Sequence, residues 1–515
     1  MSKRDLLLAA LLLLKILAFF TVSRDYDFHR DELLYLALGS HPDWGYWSNP
    51  PMIGWLGAVT RLFPVYSLDV VRVFPLLASV GTLVLALRIT RIMGGGFYAE
   101  ALAGLAMLLC PPYLRTMAMF QPVVFDIFFW TLCSYCLARY LQQEERRWLL
   151  WFGAAIGLGL LNKYLLLFLG AALSAGLLLT PHRRLFREKH LFFAAGIALL
   201  IWLPNLIWQI ANHFPVALHM RALKENQLVH VSPGSFLMDQ VLSHLPAFFL
   251  IPAGLFFFFS KTGEKFRLLG WVFVFSELLL LFFQGKSYYA LGLYPFLLAA
   301  GAVFLEKKTT ASVWGMGFRC VSAGFPVILG LALFPFSIPC LTPEKMVQFC
   351  AGFVQKTGID APVKWEDGET HDLPQDYADM LGWKEIAAFT EAAWKQSSDQ
   401  EHTLIYAENY GQAGAISWYG RKQNLPPVLS FSDTYLLWAP DSLDREITHF
   451  IYVNDELGED VQQLFADIRL VGTIENPRAR ERGTRVYICK APRESFRNFY
   501  KSRIGGIKEQ LTGAQ

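Results

Sequence analysis

Apolar residues in this chain fall into runs about twenty residues long, and the first, LLLAALLLLKILAFFTV, starts at Leu6. A helix of that length can cross the hydrocarbon core of a bilayer. Charged residues make up 17% of the 515 residues, whereas soluble domains contain about a quarter. We therefore predict an integral membrane protein, mainly α-helical. The predicted spans, about eleven by this criterion, are 5–22, 68–90, 97–114, 123–141, 148–161, 165–180, 191–211, 241–259, 267–283, 288–305 and 320–338.

Basic residues cluster in alternate connections between these spans, which predicts the orientation of the chain. They are Lys3, Arg4, Arg88, Arg91, Arg139, Arg146, Arg147, Arg183, Arg184, Arg187, Lys189, Lys261, Lys265, Arg267, Lys307 and Lys308. Positively charged connections stay in the cytoplasm. The first run lacks a small-x-small cleavage site, so we expect it to remain as an uncleaved span. The connection after that span and the tail after the last one are then predicted to face outward.

The tail is polar and differs in pattern from the rest of the chain. HTLIYAEN, HFIYVND and RVYICKA alternate with a period of two, whereas WKEIAAFTEAAWKQ has a helical period. Strands that alternate with helices indicate an α/β domain. We predict a transmembrane domain over residues 1–340 and an extracytoplasmic α/β domain over residues 341–515. Cys340, at this boundary, and Cys350, just after it, are predicted to be close enough for a disulfide in an oxidising compartment.

The outward connection after the first span is long, acidic and aromatic: SRDYDFHRDELLYLALGSHPDWGYWSNPP. RDELLYLALG has a helical period, and NPPMIGWLGAVTRLF predicts a second helix with proline in its first turn. Two readings of Asp31 and Glu32 remain open. They line a cavity at the membrane surface, or they only stabilise the N-terminus of a helix.

Other outward connections bring further ionisable side chains to the same face. Asp126 lies just inside the fourth span, where an acid is unlikely to face lipid. Lys163 follows the fifth span, and its alternative role is that of an interfacial anchor. The connection between spans seven and eight contains His213, His219, Arg221, Lys224 and His230, and the connection after span nine contains Lys286, Tyr288 and Tyr289.

The order of these motifs resembles the GT-C glycosyltransferases, in particular the protein-O-mannosyltransferase-like family 39 and the aminoarabinose transferases of family 83. The motifs are the DE pair, a GY…PP stretch, the acid at the start of span four, a K-Y turn and KSYY…YP. One departure is Ser48-Asn49 before the two prolines, where the family often has a charged residue and the aminoarabinose transferases have Glu-Lys. The resemblance covers about residues 5–340, and the tail also looks like that of bacterial members.

The resemblance implies a GT-C fold and assigns catalysis to the carboxylates Asp31, Glu32 and Asp126, with Asp31 as the general base. The candidate substrate-binding residues are Lys286, Tyr288, Tyr289, Arg221, Tyr35, Tyr46, Asn49 and Lys163. Lys286 is expected to contact the phosphate of the donor. No set of metal-ligating residues is predicted. Fixed cations could replace the divalent metal ion that many soluble transferases use, and a divalent cation stays open as a cofactor.

The implied reaction moves a sugar from a polyprenyl-phosphate donor to a hydroxyl of a lipid, glycan or protein acceptor, with inversion at the anomeric carbon. We expect a multi-pass protein of the bacterial inner membrane, in contact with membrane lipids and not with nucleic acid, whose site faces the periplasm. One alternative is a transporter or flippase of lipid-linked sugars, for which Lys15 and Glu277 are the intramembrane candidates. Another is a binding protein that uses the tail, where AENYGQAGA resembles a ligand loop.

Overall fold

The computed structural model describes residues 2–63, 67–226, 228, 232–309, 313–423 and 425–512, and helices account for most of the first 340. The first helices are α1 (Lys3–Phe19), α2 (Arg30–Leu38), α3 (Met52–Thr60), α4 (Leu68–Ile92), α5 (Phe97–Leu109), α6 (Pro111–Arg115), α7 (Pro122–Gln143), α8 (Arg147–Leu160) and α9 (Leu166–Leu178). They are followed by α10 (Lys189–Ala211), α11 (Pro215–Asn226), α12 (Pro233–Ser243), α13 (Leu250–Phe259), α14 (Arg267–Phe282), α15 (Tyr294–Thr309), α16 (Val313–Ala332) and α17 (Phe334–Ser337).

Each predicted span overlaps at least one of these helices, but their lengths do not establish eleven crossings. Among the described residues, five helices are long and apolar enough to cross a membrane, or up to seven if two bent pairs each count as one span. The five are α4, α7, α10, the run Ser287–Thr309 that ends in α15, and Trp314–Ala332 within α16. The other predicted spans correspond to shorter apolar helices, such as α8 with 14 residues and α13 with 10.

The predicted span 241–259 is divided in the structure. The helix α12 ends at Ser243, a 3-10 turn covers Leu245–Ala247, and α13 begins only at Leu250. Pro246 has no backbone N–H and cannot continue a regular helix through this point. The single continuous helix expected from the apolar run was therefore wrong.

A second break separates α5 from α6, where the axis bends by 66°. Pro111 has no N–H to donate to the carbonyl of Met107 one turn earlier. The side chain of Lys15, buried in α1, supplies a donor instead: its Nζ lies 3.3 Å from the carbonyl oxygen of Met107 and 3.2 Å from that of Tyr113. Lys15 thus stabilises a helix break.

The tail contains helices on both sides of a mixed β-sheet. The helices are α18 (Pro343–Thr357), α19 (Gln375–Ala378), α20 (Trp383–Gln396), α21 (Tyr410–Tyr419), α22 (Tyr435–Trp438), α23 (Glu459–Leu464) and α24 (Phe496–Thr512). The strands are β1 (Thr403–Ala407), β2 (Val428–Leu429), β3 (His449–Asn454), β4 (Phe465–Thr473) and β5 (Arg485–Pro492), in the order β2-β1-β3-β5-β4. The strand β1 is parallel to β2 and β3, whereas β5 is antiparallel to β3 and β4.

Cys340 and Cys350 are free thiols in the structure, so the expected disulfide is not present. The buried Cys350 belongs to the main hydrophobic core, whereas Cys340 packs against a smaller cluster that includes Phe19 and Ile338. The ten-residue spacing carried no information about this packing.

The tail packs directly on the connection between α1 and α4. The backbone amides of Asp27 and Arg30 donate to the carbonyls of Met380 and Asp379, each over 3.0 Å. The helix α21 lies against α2, where an added Cβ at Gly414 would come within 2.8 Å of the Leu33 Cβ. Gly414 is therefore required for this close approach, which brings the start of α21 next to the start of α2.

Candidate active site

Asp31 lies in the first turn of α2, but other residues cap that helix. The His29 side chain accepts from the Asp31 amide over 3.1 Å, and the Glu32 carboxylate accepts from the His29 amide over 2.8 Å. This reciprocal arrangement is a capping box in which His29 takes the usual place of Ser or Thr. The half-buried carboxylate of Asp31 is therefore not used as the helix cap.

Two side chains from distant parts of the chain orient the Asp31 carboxylate. The hydroxyl of Tyr410 donates to Oδ1 over 2.9 Å, and Nε2 of Gln121 lies 3.4 Å from Oδ2. Tyr410 begins α21 in the tail, and Gln121 immediately precedes α7. The carboxylate thus lies where three separate segments of the chain meet.

The Tyr410 phenol remains a hydrogen-bond donor at neutral pH. Burial raises its pKa well above the ordinary value, and the adjacent Asp31 carboxylate acts in the same direction. The guanidinium of Arg30 lies 4.5 Å from the centre of the ring. Sequence reasoning missed Tyr410 because it identified AENYGQAGA only as a turn with a ligand-loop appearance.

Glu32 is fully buried, and its two oxygens are occupied by donors from the protein. Arg72 contributes Nε at 2.9 Å and Nη2 at 2.6 Å, and the amide of Phe120 donates over 2.7 Å. Together with the His29 amide, these contacts hold α2 to α4 and to the segment before α7. They give Glu32 a structural role and do not support its expected place in direct catalysis.

Lys163, Tyr288 and Tyr289 form a second group. Nζ of Lys163 lies 4.9 Å from the centre of the Tyr288 ring and 4.6 Å from that of Tyr289, within the range of cation–π attraction. Burial lowers the pKa of Lys163 to about 8; the Asp126 carboxylate opposes this shift and the positive charge of Lys286 adds to it. The sequence-predicted residues Lys163, Asp126 and Lys286 are therefore electrostatic neighbours.

Asp126 is buried near the start of α7, and its Oδ1 has no hydrogen-bond partner among the described residues. Lys286 is partly exposed, and its Nζ lies 3.7 Å from Oε1 of Glu366 in the tail. A partly exposed lysine keeps water-accessible positive charge that a phosphate can reach. The second group thus contains a buried acid and two half-buried cations.

Tyr35 interacts electrostatically with residues of both groups. Burial raises the pKa of Tyr35 well above its ordinary value, with further contributions from the Asp31 carboxylate and from the phenols of Tyr410 and Tyr288. Tyr35 is in α2, one turn after Asp31, and its side chain is buried. Tyr35 on α2 is therefore electrostatically coupled to the carboxylate and to the lysine–tyrosine group.

Three predicted substrate-binding residues have other roles. Arg221 is exposed on α11 and pairs over 3.1 Å with Glu225, its neighbour one turn later, so the structure does not bring it into either group. The Tyr46 hydroxyl lies within 3.3 Å of the carbonyl oxygens of Leu38 and His41 and holds the turn after α2. Asn49 donates to the adjacent Ser48 over 2.7 Å.

No group of three or more His, Cys, Asp or Glu side chains that could hold a metal ion occurs in the part of the chain that the structure describes. The residues around Asp31 offer one carboxylate with a phenol and an amide, and the second group offers two lysines. In chemical terms, the first can accept a proton, and the second can attract an anion such as a phosphate.

The model of the family described as dolichyl-phosphate-mannose-protein mannosyltransferase matches residues 48–208. The lipid A galacturonosyltransferase RgtD of Rhizobium johnstonii is 29% identical over 188 residues, which are 36% of this chain and 39% of that relative. The match therefore covers well under half of the relative's length.

Solved structures share the fold over nearly the whole chain. ArnT from Cupriavidus metallidurans bound to undecaprenyl phosphate superposes with a TM-score of 0.64 at 15% identity, covering 95% of this chain and 98% of ArnT. Its apo structure gives 0.62 at the same identity, covering 95% and 97%. The fold is that of ArnT, and the comparisons together confirm the predicted resemblance to the GT-C glycosyltransferases.

Proposed function

We propose that the protein is a membrane glycosyltransferase that transfers a sugar from a polyprenyl-phosphate donor to a hydroxyl acceptor on the outer side of the membrane. The proposal depends on the environment of the Asp31 carboxylate. This carboxylate does not cap its own helix, and Tyr410 and Gln121 orient it. The structure of ArnT contains undecaprenyl phosphate, which supports a lipid-linked donor. The relative RgtD is a lipid A galacturonosyltransferase, which supports a lipid acceptor. A glycan or protein acceptor is the alternative within the same reaction.

In the proposed reaction Asp31 takes the proton of the acceptor hydroxyl while that oxygen attacks the anomeric carbon of the donor sugar. The bond between the anomeric carbon and the phosphate oxygen breaks, and its electron pair leaves with the polyprenyl phosphate. Attack opposite to the leaving group inverts the anomeric configuration. General base catalysis of this kind contributes about 10²–10⁴-fold to the rate.

The leaving phosphate gains negative charge as the bond breaks, and the second group of residues supplies positive charge. Lys163 and Lys286 are electrostatic neighbours, and a charge held in place before the reaction stabilises the transition state without reorganisation. The rings of Tyr288 and Tyr289 both lie within cation–π range of the Lys163 ammonium group and favour its present position. We assign both lysines to the donor phosphate.

Asp31→Asn tests the proposal because it preserves the shape of the side chain and removes its basicity. We expect turnover to fall about 10²–10⁴-fold with radiolabelled polyprenyl-phosphate sugars and a membrane extract as acceptor. Asp25→Asn is the matched control, since Asp25 is an exposed acid of the same connection that accepts only from Ser23 among the hydrogen bonds described. Near-normal transfer by Asp31→Asn, in protein that remains folded, would refute the assignment.

The orientation and the membrane are part of the same proposal. The basic connections support a cytoplasmic location for the loop after Lys308, and hence a periplasmic location for the site and the tail of a bacterial inner-membrane protein. Reporter fusions after Lys308 and after Gln515 should report opposite sides of the membrane. If both fusions report the same side, the orientation is wrong.

A further inference from the structure

The tail contains a cavity of about 230 Å3 between the sheet and the last helix, α24. From β1 the chain passes to β2 on one side and then returns to β3 on the other side of β1. In α/β sheets, ligands bind outside the carboxyl ends of the strands at such a reversal of strand order. Glu408 and Asn454, at the ends of β1 and β3, both line the cavity.

The floor of the cavity is aromatic. Tyr406 and Tyr452 are paired across β1 and β3, and their rings are nearly parallel at 8° with centroids 5.8 Å apart. Phe450 extends this surface, and α24 closes it with Phe496 and Tyr500. Tyr500 follows Phe496 by four positions, so the two lie on one face of α24. A flat ligand thus meets aromatic side chains from the sheet and from the helix.

Polar groups surround the mouth of this aromatic floor. Glu408 accepts from the Tyr406 hydroxyl over 3.2 Å, and Asn454 donates to the Tyr452 hydroxyl over 2.9 Å. Asp460 and Arg503 complete the rim. The rim therefore has two carboxylates and one guanidinium, with phenols and an amide between them. Hydrogen-bond acceptors thus predominate, and the rim is acceptor-rich.

The chemistry of the cavity restricts the ligand. A phosphate or another anion would meet two carboxylates at the mouth, and an acyl chain would leave the charged rim without partners on binding. Pockets for drug-sized ligands measure about 300–1,000 Å3, so this smaller cavity accommodates roughly one ring. A ring with an apolar face and several hydroxyls satisfies both the aromatic floor and the acceptor-rich rim.

We propose that this cavity of the tail is a saccharide-binding site for a single neutral or amino-substituted sugar ring. The sugar stacks on Tyr406 and Tyr452 and donates its hydroxyl or ammonium hydrogens to Glu408 and Asp460. The site is separate from the candidate active site, although Glu408, directly after β1, and Tyr410, at the start of α21, are only two positions apart. The inference does not depend on the proposed transfer reaction.

The test uses the purified full-length protein in detergent micelles, with methyl glucoside, methyl mannoside and glucosamine as probes. Saturation-transfer NMR and equilibrium titration should show saturable binding of at least one probe through its ring protons. Glu408→Gln and Asp460→Asn remove rim charges at accessible positions and should weaken that binding about tenfold to a hundredfold, as expected for lost hydrogen bonds to a charged acceptor. Glu456→Gln, an exposed acid outside the cavity lining, should leave it unchanged.

Asp31→Asn separates this inference from the proposed function. Sugar binding that survives Asp31→Asn and is weakened by both rim variants supports a site in the tail. Binding that both rim variants retain would locate the sugar elsewhere and overturn the inference, even if Asp31→Asn abolishes transfer. Absence of saturable binding for all three probes, or weakening by Glu456→Gln equal to that by the rim variants, would also overturn it.

Discussion

Two carboxylates lie at the N-terminus of α2, both from its own first turn, and two lie at the N-terminus of α5, Glu100 from its first turn and Glu306 from α15. At α5, Glu306 accepts from the amides of Gly96, Tyr98 and Ala99, while the buried Glu100 pairs with two arginines. At α2, Glu32 is similarly occupied by protein donors. Asp31 instead receives one phenol and one distant amide.

This difference separates carboxylates that hold the fold from one that is available for chemistry. A buried acid with all its oxygens occupied contributes stability and cannot accept a proton from a ligand without losing those contacts. The acid that is only partly satisfied costs some stability and can serve a reaction, a trade-off seen at functional sites. The presence of an acid at a helix N-terminus therefore does not distinguish the two roles. The number of protein hydrogen-bond donors that contact the carboxylate does.

The largest effect is expected at Glu32. Glu32→Gln removes the negative partner of Arg72, whose side chain is 1% exposed, and an uncompensated buried charge costs about 3–5 kcal/mol. The free energy of unfolding in detergent should fall by that amount. Glu344→Gln, which breaks the exposed pair with Arg478, should cost at most about 1 kcal/mol. Equal losses in the two variants would remove the distinction between structural and available acids.

Lys163 should affect the donor rather than the fold. Lys163→Met is expected to raise the KM for a polyprenyl-phosphate sugar about tenfold to a hundredfold, the contribution of a charge-assisted contact. Lys384→Met, in which an exposed ion pair with Asp27 is lost, is the control. An unchanged KM in Lys163→Met would return Lys163 to the role of an interfacial anchor.

The same lysine predicts a pH dependence. Burial lowers the pKa of Lys163 to about 8, so its ammonium group is charged below that pH and neutral above it. Donor affinity of the unaltered protein should therefore weaken as the pH rises through about 8. The Lys163→Met variant should lack that component, and an identical pH profile in both proteins would contradict the assignment.

Tyr410→Phe tests whether the tail orients the base. The change removes the hydroxyl that donates to Asp31 and keeps the ring under Arg30. We expect kcat to fall about tenfold with little change in the donor KM, which corresponds to about 1.4 kcal/mol in the transition state. Tyr435→Phe, at a buried hydroxyl with no hydrogen-bond partner among the described residues, should leave kcat unchanged. A rise in KM alone would indicate a substrate contact instead.

The smallest effect is expected at Glu306. Glu306→Ala removes the acceptor for three amides at the start of α5, and the loss of a helix cap costs about 1 kcal/mol. The thermal midpoint should fall slightly while turnover remains unchanged. Glu264→Ala, at an exposed acid 3.9 Å from Arg267, should have no measurable effect. A fall in turnover would show that α5 is coupled to the site.

Local sequence patterns predicted much of the helical part of the chain. The apolar runs contain helices because hydrophobicity and length are recorded in consecutive residues. The exceptions were local as well: Pro246 divides one run, and Arg221 pairs with Glu225 on the surface of α11 instead of turning toward the site. The charges of Lys163 and Lys286 were predicted to converge, and they are neighbours.

The partners of the acids could not be predicted from the sequence. Whether Asp31 or Glu32 caps α2 depends on the position of Arg72 and on the orientation of His29, neither of which a periodic pattern specifies. The contact between Asp31 and Tyr410 joins parts of the chain that belong to different predicted domains. Tertiary packing, including the close approach at Gly414, decides these contacts.

The distance in sequence between Asp31 and Tyr410 also has a consequence for biosynthesis. The two residues are 379 positions apart, and a ribosome that adds about 5–20 residues per second needs roughly 20–75 s to make that stretch. The first transmembrane helices leave the ribosome during this interval, while the phenol for Asp31 has not been synthesised. A chain whose translation stops early therefore has its acidic loop without the Tyr410 donor, and the complete site forms only near the end of synthesis.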